Sequence, residues 1–167
     1  MSWDQVIGQE RVKETLRCAM TQDRVAHAYL FHGPYGTGKR ATAFAFARAL
    51  QCKVRPGEGC MECRDCSRIN RMIHPDVRFF MPAPKDMDLE EITGRLAALG
   101  QNPYDTIDFV RRPAARLSKK QAIYPKAFPV EVRAMTDYVA FEGAYKVITL
   151  TGAEDLGQET GNVLLKL

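Results

Sequence analysis

The sequence lacks long apolar stretches. No apolar run in its 167 residues approaches the roughly 18 positions that a membrane-spanning helix requires, so the sequence excludes such a segment. No signal-peptide pattern precedes the first predicted helix, and no internal repeat is visible. We therefore expect a cytoplasmic protein. The length suits one domain, and 46% hydrophobic residues suffice for a sizeable core.

Histidine is scarce, and candidates for acid–base chemistry are scarce with it. The chain has three histidines. We expect His27 to pack or to form a hydrogen bond, and His74 to fix a turn into a strand, because neither has a sequence neighbour suited to proton transfer. The sequence therefore predicts no catalytic residue.

Acidic residues are absent from one stretch of the chain. Between Phe109 and Lys126 there are six basic residues and no acidic one, in a chain of formal net charge +4. Such a segment could lie along a nucleic-acid backbone, or it could be a solvated surface loop. A nucleic-acid-binding module is therefore one alternative function.

A glycine-rich loop, Gly33 to Lys39, has the form G-x-x-x-x-G-K. It follows the apolar run Ala28 to Phe31 and precedes an alanine-rich segment, 39–51. Glycines allow successive backbone N–H groups to turn toward phosphate oxygens, and a following helix points its N-terminus at the anion. The pattern predicts a phosphate-binding loop between a buried strand at 28–32 and a helix at 39–51.

Two positions of this predicted nucleotide site lack the residue that Mg²⁺ needs. The motif ends in Ser or Thr, whose hydroxyl ligates Mg²⁺, but Arg40 stands here and offers no lone pair. A P-loop ATPase also places an Asp at the end of a buried strand, whereas the strand Val147 to Leu150 runs into Thr151 and Gly152. We therefore predict a pocket for ATP or ADP without a well-formed Mg²⁺ site, and no ATPase activity of the chain alone.

Four of the five cysteines form a cluster: Cys52, Cys60, Cys63 and Cys66. Each C-x2-C step brings two thiolates to one metal and no histidine lies inside the cluster, so we predict a structural Zn²⁺ site with four thiolate ligands. Three alternatives stay open: disulfides, which need an oxidising compartment; an iron–sulfur cluster, whose usual ferredoxin spacing differs; and unused thiols. Cys18 is expected to be a small core residue of the first helix.

The rest of the chain alternates between helical and strand patterns. The predicted elements are a first helix marked by Val12, Leu16, Ala19 and Met20, helices at 67–73, 89–99, 130–141 and 155–167, and strands at 77–81 and 145–150. The alternation predicts an α/β fold with a parallel sheet covered by helices on both faces, a small inserted zinc module at 52–66 and an irregular basic insertion at 100–128. The apolar pattern runs to the last residue, so we expect one domain over 1–167 that continues in a longer protein.

Taken in order, these residues resemble the bacterial DNA polymerase III clamp-loader family, the AAA+ subunits gamma/tau and delta-prime. The resemblance rests on Val6 to Gln9, Arg24 to Phe31, the four cysteines, His74 to Asp76 and Gly161 to Leu167, and it leaves 100–128 uncovered. It implies the N-terminal, RecA-like AAA+ domain of such a subunit. Because positions 40, 151 and 152 depart from the gamma/tau pattern, the chain is more similar to the delta-prime type.

The resemblance also implies a role, partners and a site. The role is that of a largely non-hydrolysing stator in a hetero-pentamer with gamma/tau and delta, which loads the sliding clamp onto primed DNA as part of the DNA polymerase III holoenzyme, a nucleotidyltransferase complex. An ATP-hydrolysing motor of gamma/tau type is one alternative, and a zinc-dependent nucleic-acid-binding module that uses the basic segment 109–126 is the other. The implied phosphate-loop residues are Gly33, Gly36, Thr37, Gly38 and Lys39, the residues near the adenine are Val6 and Ile7, and the metal ligands are the four cysteines.

Overall fold

The computed structural model describes residues 1–84, 87–105, 124 and 128–164. Its elements, in order, are a 3-10 helix Ser2–Gln5, α1 Glu10–Thr21, α2 Lys39–Gln51, α3 Arg64–Asn70, β1 Val77–Phe80, α4 Leu89–Gln101, α5 Phe128–Thr136, β2 Val147–Leu150, a 3-10 helix Ala153–Asp155 and α6 Gln158–Leu164. None of the helices in these ranges has the length and apolar character to cross a membrane.

The two described strands form a parallel pair with helices on both faces. Val77 lies opposite Val147, and Phe80 lies opposite Leu150. On one face Phe79 stacks on Phe44 of α2, with ring centroids 4.3 Å apart. On the other face Phe80 packs against buried residues of α5. The predicted parallel arrangement, covered on both sides, is therefore confirmed for this strand pair.

Helix α2 is the central element, and its bounds are those predicted from the sequence. It is buried nearly all round. Ala41, Ala45 and Ala49 face the N-terminal segment and α1, where small side chains allow close approach. Phe44 and Ala47 face β1 on the opposite side. A helix between two layers needs no polar face, which explains its alanine-rich composition.

The predicted strand at 28–32 is wrong for the described structure. Tyr29 and Phe31 pack against the core around α2, whereas Leu30 is 80% exposed, so burial alternates as in a strand. Ladder hydrogen bonds define a strand, and no other backbone pairs with this segment within the part of the chain that the structure describes. The alternation of apolar residues therefore reflects an extended segment that packs one side on the core, without strand pairing among the described residues.

The helix predicted at 130–141 is shorter and begins earlier. It starts at Phe128, because Phe128 and Val132 both pack against the sheet, and it ends at Thr136. Val139, predicted on its apolar side, lies beyond the helix and is 90% exposed. Most of the insertion predicted at 100–128, including the basic residues of 109–126, lies outside the described residues.

Candidate nucleotide and metal sites

The glycines of the loop Gly33 to Lys39 adopt backbone conformations that favour glycine. Gly33, Gly36 and Gly38 all have positive φ, at +142°, +83° and +84°, a conformation that side-chain-bearing residues rarely adopt. Gly38 is the N-cap of α2, and the N–H groups of a first helical turn have no partner within the helix. The loop therefore offers backbone donors of the kind that bind phosphate.

The lysine of the loop lies over the loop itself. The Lys39 Nζ donates to the carbonyl oxygen of Gly33 (2.9 Å) and to that of Pro34 (2.7 Å). The Thr37 hydroxyl also donates to Pro34, and the Gln9 side-chain amide donates to the Thr37 carbonyl (3.1 Å). These bonds place an ammonium group beside the backbone donors, where both can act on one anion.

Arg40 points away from the loop toward the turn after α4. Its Nε donates to the carbonyl of Pro103 (2.8 Å), and its Nη2 donates to the carbonyl of Asp105. Burial lowers the pKa of the Arg40 guanidinium from its ordinary value. This side chain therefore holds two carbonyl groups together and presents only donors, so it offers nothing to a metal ion.

The two residues predicted near the adenine differ in burial. Val6 belongs to the core beside α2, and Ile7 is 76% exposed. The Ile7 N–H donates to the Tyr104 hydroxyl (2.8 Å), and that hydroxyl also lies 3.1 Å from where a Cβ on Gly38 would stand. Tyr104 thus connects this segment to the phosphate loop.

The end of β2 carries no carboxylate. Thr151 follows the strand, and its N–H donates to the Phe80 carbonyl (3.0 Å), which continues the sheet ladder. Gly152 has a positive φ of +71° and leads into the 3-10 helix that contains Glu154. Glu154 is exposed and follows the strand end by several positions, which agrees with the sequence prediction for this turn.

The four clustered cysteines come together as predicted. Cys52 lies at the end of α2, Cys63 caps α3, and Cys60 and Cys66 complete the group. Their sulfur atoms all lie within 4.8 Å of one another, and the Cys52 and Cys63 sulfurs are 3.9 Å apart. A tetrahedral Zn²⁺ with bonds of about 2.3 Å separates its sulfurs by roughly 3.8 Å, so the group fits such an ion.

Backbone N–H groups surround the sulfurs as they do at thiolate sites. Cys52 Sγ accepts from the N–H of Arg55 (3.2 Å) and of Cys60 (3.3 Å), and Cys60 Sγ accepts from the N–H of Cys63 (3.3 Å). Burial raises the pKa of the Cys60 thiol, but the N–H groups directed at its sulfur outweigh burial and lower that pKa to about 6. Burial raises the pKa of the Cys66 thiol. The donor set therefore fits a metal that binds thiolates and displaces their protons.

Beside the metal module, Asp76 anchors the loop that follows α5. Its buried carboxylate accepts N–H groups from Phe141 (2.6 Å), Glu142 (2.8 Å) and Gly143 (2.8 Å). His74 Nδ1 accepts the Asp76 N–H (3.1 Å), so His74 fixes the turn before β1 as predicted. Burial lowers the pKa of His74, which favours its neutral form.

Sequence reasoning missed three contributors to this region. Tyr104 and the Asp105 carbonyl lie in a stretch predicted to be an irregular insertion, and no motif marks them. Trp3 was not singled out, although a lone tryptophan close to a predicted adenine segment was a signal that could have found it. Cys18, predicted to be a core residue, is instead exposed on α1.

Comparison with known proteins identifies the class to which this arrangement belongs. Residues 8–108, more than half of the chain, match the family model described as "DNA polymerase III, delta subunit". The chain belongs to this family of DNA polymerase III clamp-loader subunits.

The curated relatives include both clamp-loader branches. The chain is 43% identical over 76 residues to DNA polymerase III subunit tau of Bacillus subtilis, which covers 45% of this chain and 14% of that protein. It is 40% identical over 74 residues to subunit delta' of the same organism, covering 44% and 22%. Protein STICHEL-like 1 of Arabidopsis thaliana is 46% identical over 69 residues, covering 40% and 6%. The matched segments thus span less than a quarter of each of these relatives.

Proposed function

We propose that this chain acts as a delta-prime-type subunit, a largely non-hydrolysing stator of the clamp loader, rather than as a gamma/tau-type motor. One observation carries the proposal. At the position where a hydroxyl would ligate Mg²⁺, Arg40 donates to the carbonyls of Pro103 and Asp105 and offers no lone pair. The relatives alone do not separate the two types, because subunits of both match.

The end of β2 supports the same choice. Hydrolysis in a P-loop ATPase requires a carboxylate at the strand end to hold Mg²⁺. Thr151 occupies that position, its backbone is committed to the sheet ladder, and Gly152 follows. The two missing Mg²⁺ ligands belong to different elements, α2 and the end of β2. A single compensating contact therefore cannot replace both of them.

The phosphate loop favours retained nucleotide binding. Its glycines, the Lys39 ammonium and the first turn of α2 together suit ATP or ADP. Val6 and Ile7 form the proposed adenine side, with Tyr104 as an additional residue holding Ile7. Gly33, Gly36, Thr37, Gly38 and Lys39 form the proposed phosphate side.

The metal in the proposed function is Zn²⁺, held by the four cysteines. It supplies structure rather than reactivity, since four protein ligands leave no open position for a substrate. The proposed partners are gamma/tau and delta in a hetero-pentamer, with the sliding clamp and primed DNA met through that assembly. The proposed setting is the cytoplasm.

ATP turnover by the purified chain tests this function. We expect none above background, with a gamma/tau-type subunit as the positive control. ATP should bind with affinities that differ by less than about threefold between Mg²⁺ and EDTA, because Arg40 leaves no metal ligand at that position. Turnover that disappears in Lys39→Ala would contradict the proposal and favour the motor type. Lys53→Ala is the matched control, because Lys53 lies in the cysteine module.

A further inference from the structure

The cysteine module receives the first residues of the chain. The Ser2 N–H donates to the Gly59 carbonyl (2.8 Å), and the Trp3 indole Nε1 donates to the Gly57 carbonyl (2.9 Å). Both acceptors lie in the loop 53–59, between two of the metal-binding cysteines. Ser2 and Trp3 are buried, with 0% and 1% exposure. The loop therefore binds the N-terminal segment.

The fit between the loop and the segment is close. A Cβ added to Gly59 would lie 2.7 Å from the Cβ of Ser2, and Gly59 has a positive φ of +69°. Arg17 adds a further connection, since its guanidinium lies 5.6 Å from the Trp3 ring centroid and forms an ion pair with Glu58 (2.7 Å). A small displacement of the loop would therefore disturb the segment directly.

The loop 53–59 consists of turns, in which the Glu58 N–H (3.1 Å) and the Gly59 N–H (3.0 Å) both donate to the Arg55 carbonyl. It contains no helix or strand, and its two ends are the ligands Cys52 and Cys60. The Arg55 N–H and the Cys60 N–H both donate to the Cys52 sulfur. A metal that joins Cys52 to Cys60 would fix both ends of the loop. It would add to the bond by which the Gly57 N–H donates to the Ala49 carbonyl of α2 (3.1 Å), and its removal would release the two ends.

The hydrogen bonds of Arg48 provide a second link between the segment and the cysteine cluster. Arg48 is 0% exposed, and its donors reach the side chains of Ser2 (2.7 Å), Gln5 (2.7 Å) and Asn70 (2.8 Å), all of them neutral. The Arg48 carbonyl accepts the N–H of Cys52 (2.9 Å), so the same residue is also bonded to the cysteine cluster. Arg48 therefore contacts both the N-terminal segment and the cluster.

We infer that the metal held by the four cysteines anchors the N-terminal segment, residues 1–7, through the hydrogen bonds that the loop 53–59 accepts from Ser2 and Trp3. The inference rests on the metal site of the proposed function. Because the segment continues into Val6 and Ile7, the metal also orders the proposed adenine side of the nucleotide site. Its role therefore extends beyond its own module.

Trp3 fluorescence tests this inference, because Trp3 is the one tryptophan of the chain. The full 167-residue chain is loaded with Zn²⁺ and then treated with a chelator, with bound zinc, tryptophan emission and far-ultraviolet circular dichroism measured on the same samples. We expect zinc removal to shift the emission to longer wavelength and to raise acrylamide quenching at least threefold. Added Zn²⁺ should reverse both changes, and the helical signal should persist, since α2 keeps its packing on β1.

Matched variants distinguish the contact between the loop 53–59 and the N-terminal segment from metal binding itself. Cys60→Ser should lose zinc and expose Trp3. Cys18→Ser, which lies outside the cluster, should keep its zinc bound and Trp3 buried. Gly59→Ala keeps all four ligands but places a Cβ against Ser2, so it should expose Trp3 while zinc stays bound.

Three outcomes would overturn the inference. Zinc that leaves without any change in Trp3 emission overturns the inference and leaves the proposed metal site intact. A chain that takes up no zinc overturns both. Loss of the helical signal together with Trp3 exposure also overturns the inference, because exposure would then follow general unfolding.

Discussion

Asp76 is a single residue that binds three consecutive residues of one loop. Its carboxylate is buried and satisfies three consecutive backbone N–H groups, and the loop it holds carries Phe141, which is 80% exposed. Burial alone would raise the pKa of Asp76, but the three N–H groups lower it below its usual value. Arg68, which pairs with the Glu142 carboxylate, and Lys53, which donates to the Glu142 carbonyl, add to this anchor. Asp76 is the residue that satisfies the backbone of the loop.

Replacing Asp76 should lower stability in a pH-dependent way. A carboxyl whose folded pKa lies below its unfolded value of about 3.9 stabilises the fold above that value, and the contribution is lost as pH falls through the folded pKa. We expect Asp76→Asn to lower the free energy of unfolding by about 1–3 kcal/mol at pH 7, and by less below about pH 4. Urea denaturation across this range measures the difference.

The control for this experiment is Asp137→Asn. Asp137 is exposed at the end of α5, so its replacement should change the free energy of unfolding by less than about 0.5 kcal/mol. A loss in Asp76→Asn that stays constant from pH 7 to pH 3 would show that the charge of Asp76 is irrelevant to the loop.

At the scale of the elements, the sequence predicted helices better than strand pairing. The bounds of α2 followed from local signals, the glycine N-cap and an apolar pattern without a polar face. The segment 28–32 carried an equally good strand pattern, but a strand also needs a neighbouring backbone, which no local pattern reports. The same limit applies to the segment after α5, where residues 141–143 donate to Asp76, a contact far away in sequence that no local pattern reports.

The contact between α2 and the sheet should carry much of the stability. Phe44 is 1% exposed and stacks on Phe79 of β1. We expect Phe44→Ala to lower the free energy of unfolding by about 3–5 kcal/mol, because it removes a buried ring and leaves a cavity. Chemical denaturation measures this loss. The exposed Val139→Ala is the control, and similar losses in both variants would contradict the role of α2 as the central element.

At the scale of the whole molecule, we expect metal binding and folding to be linked. The four sulfurs come from the end of α2, the loop after it and α3, so they meet only in the folded chain. A ligand that binds the folded state alone stabilises it by RT ln(1 + [L]/Kd). The candidate metal site could be predicted from cysteine spacing because its ligands are close in sequence, unlike the contacts of Arg40 with residues 103–105.

The thermal midpoint should therefore rise with free zinc. At a zinc concentration about 1,000 times its Kd, the gain in the free energy of unfolding should be about 4 kcal/mol. Differential scanning calorimetry over a zinc titration measures it, and Cys66→Ser should abolish the dependence while Cys18→Ser retains it. A thermal midpoint of the parent chain that does not change with zinc concentration, despite stoichiometric binding, would disprove the link between metal binding and folding.

The parallel pairing of β1 with β2 has a consequence for chain length. Val77 meets Val147 and Phe80 meets Leu150, so the sheet closes a loop of about 70 residues. The entropy lost on closing such a loop grows only with the logarithm of its length, about 0.6 kcal/mol per doubling. Removing about twenty residues between the strands would therefore change the closure free energy by only about 0.3 kcal/mol. The connection can vary in length at almost no entropic penalty, provided that the anchors at its two ends stay in place.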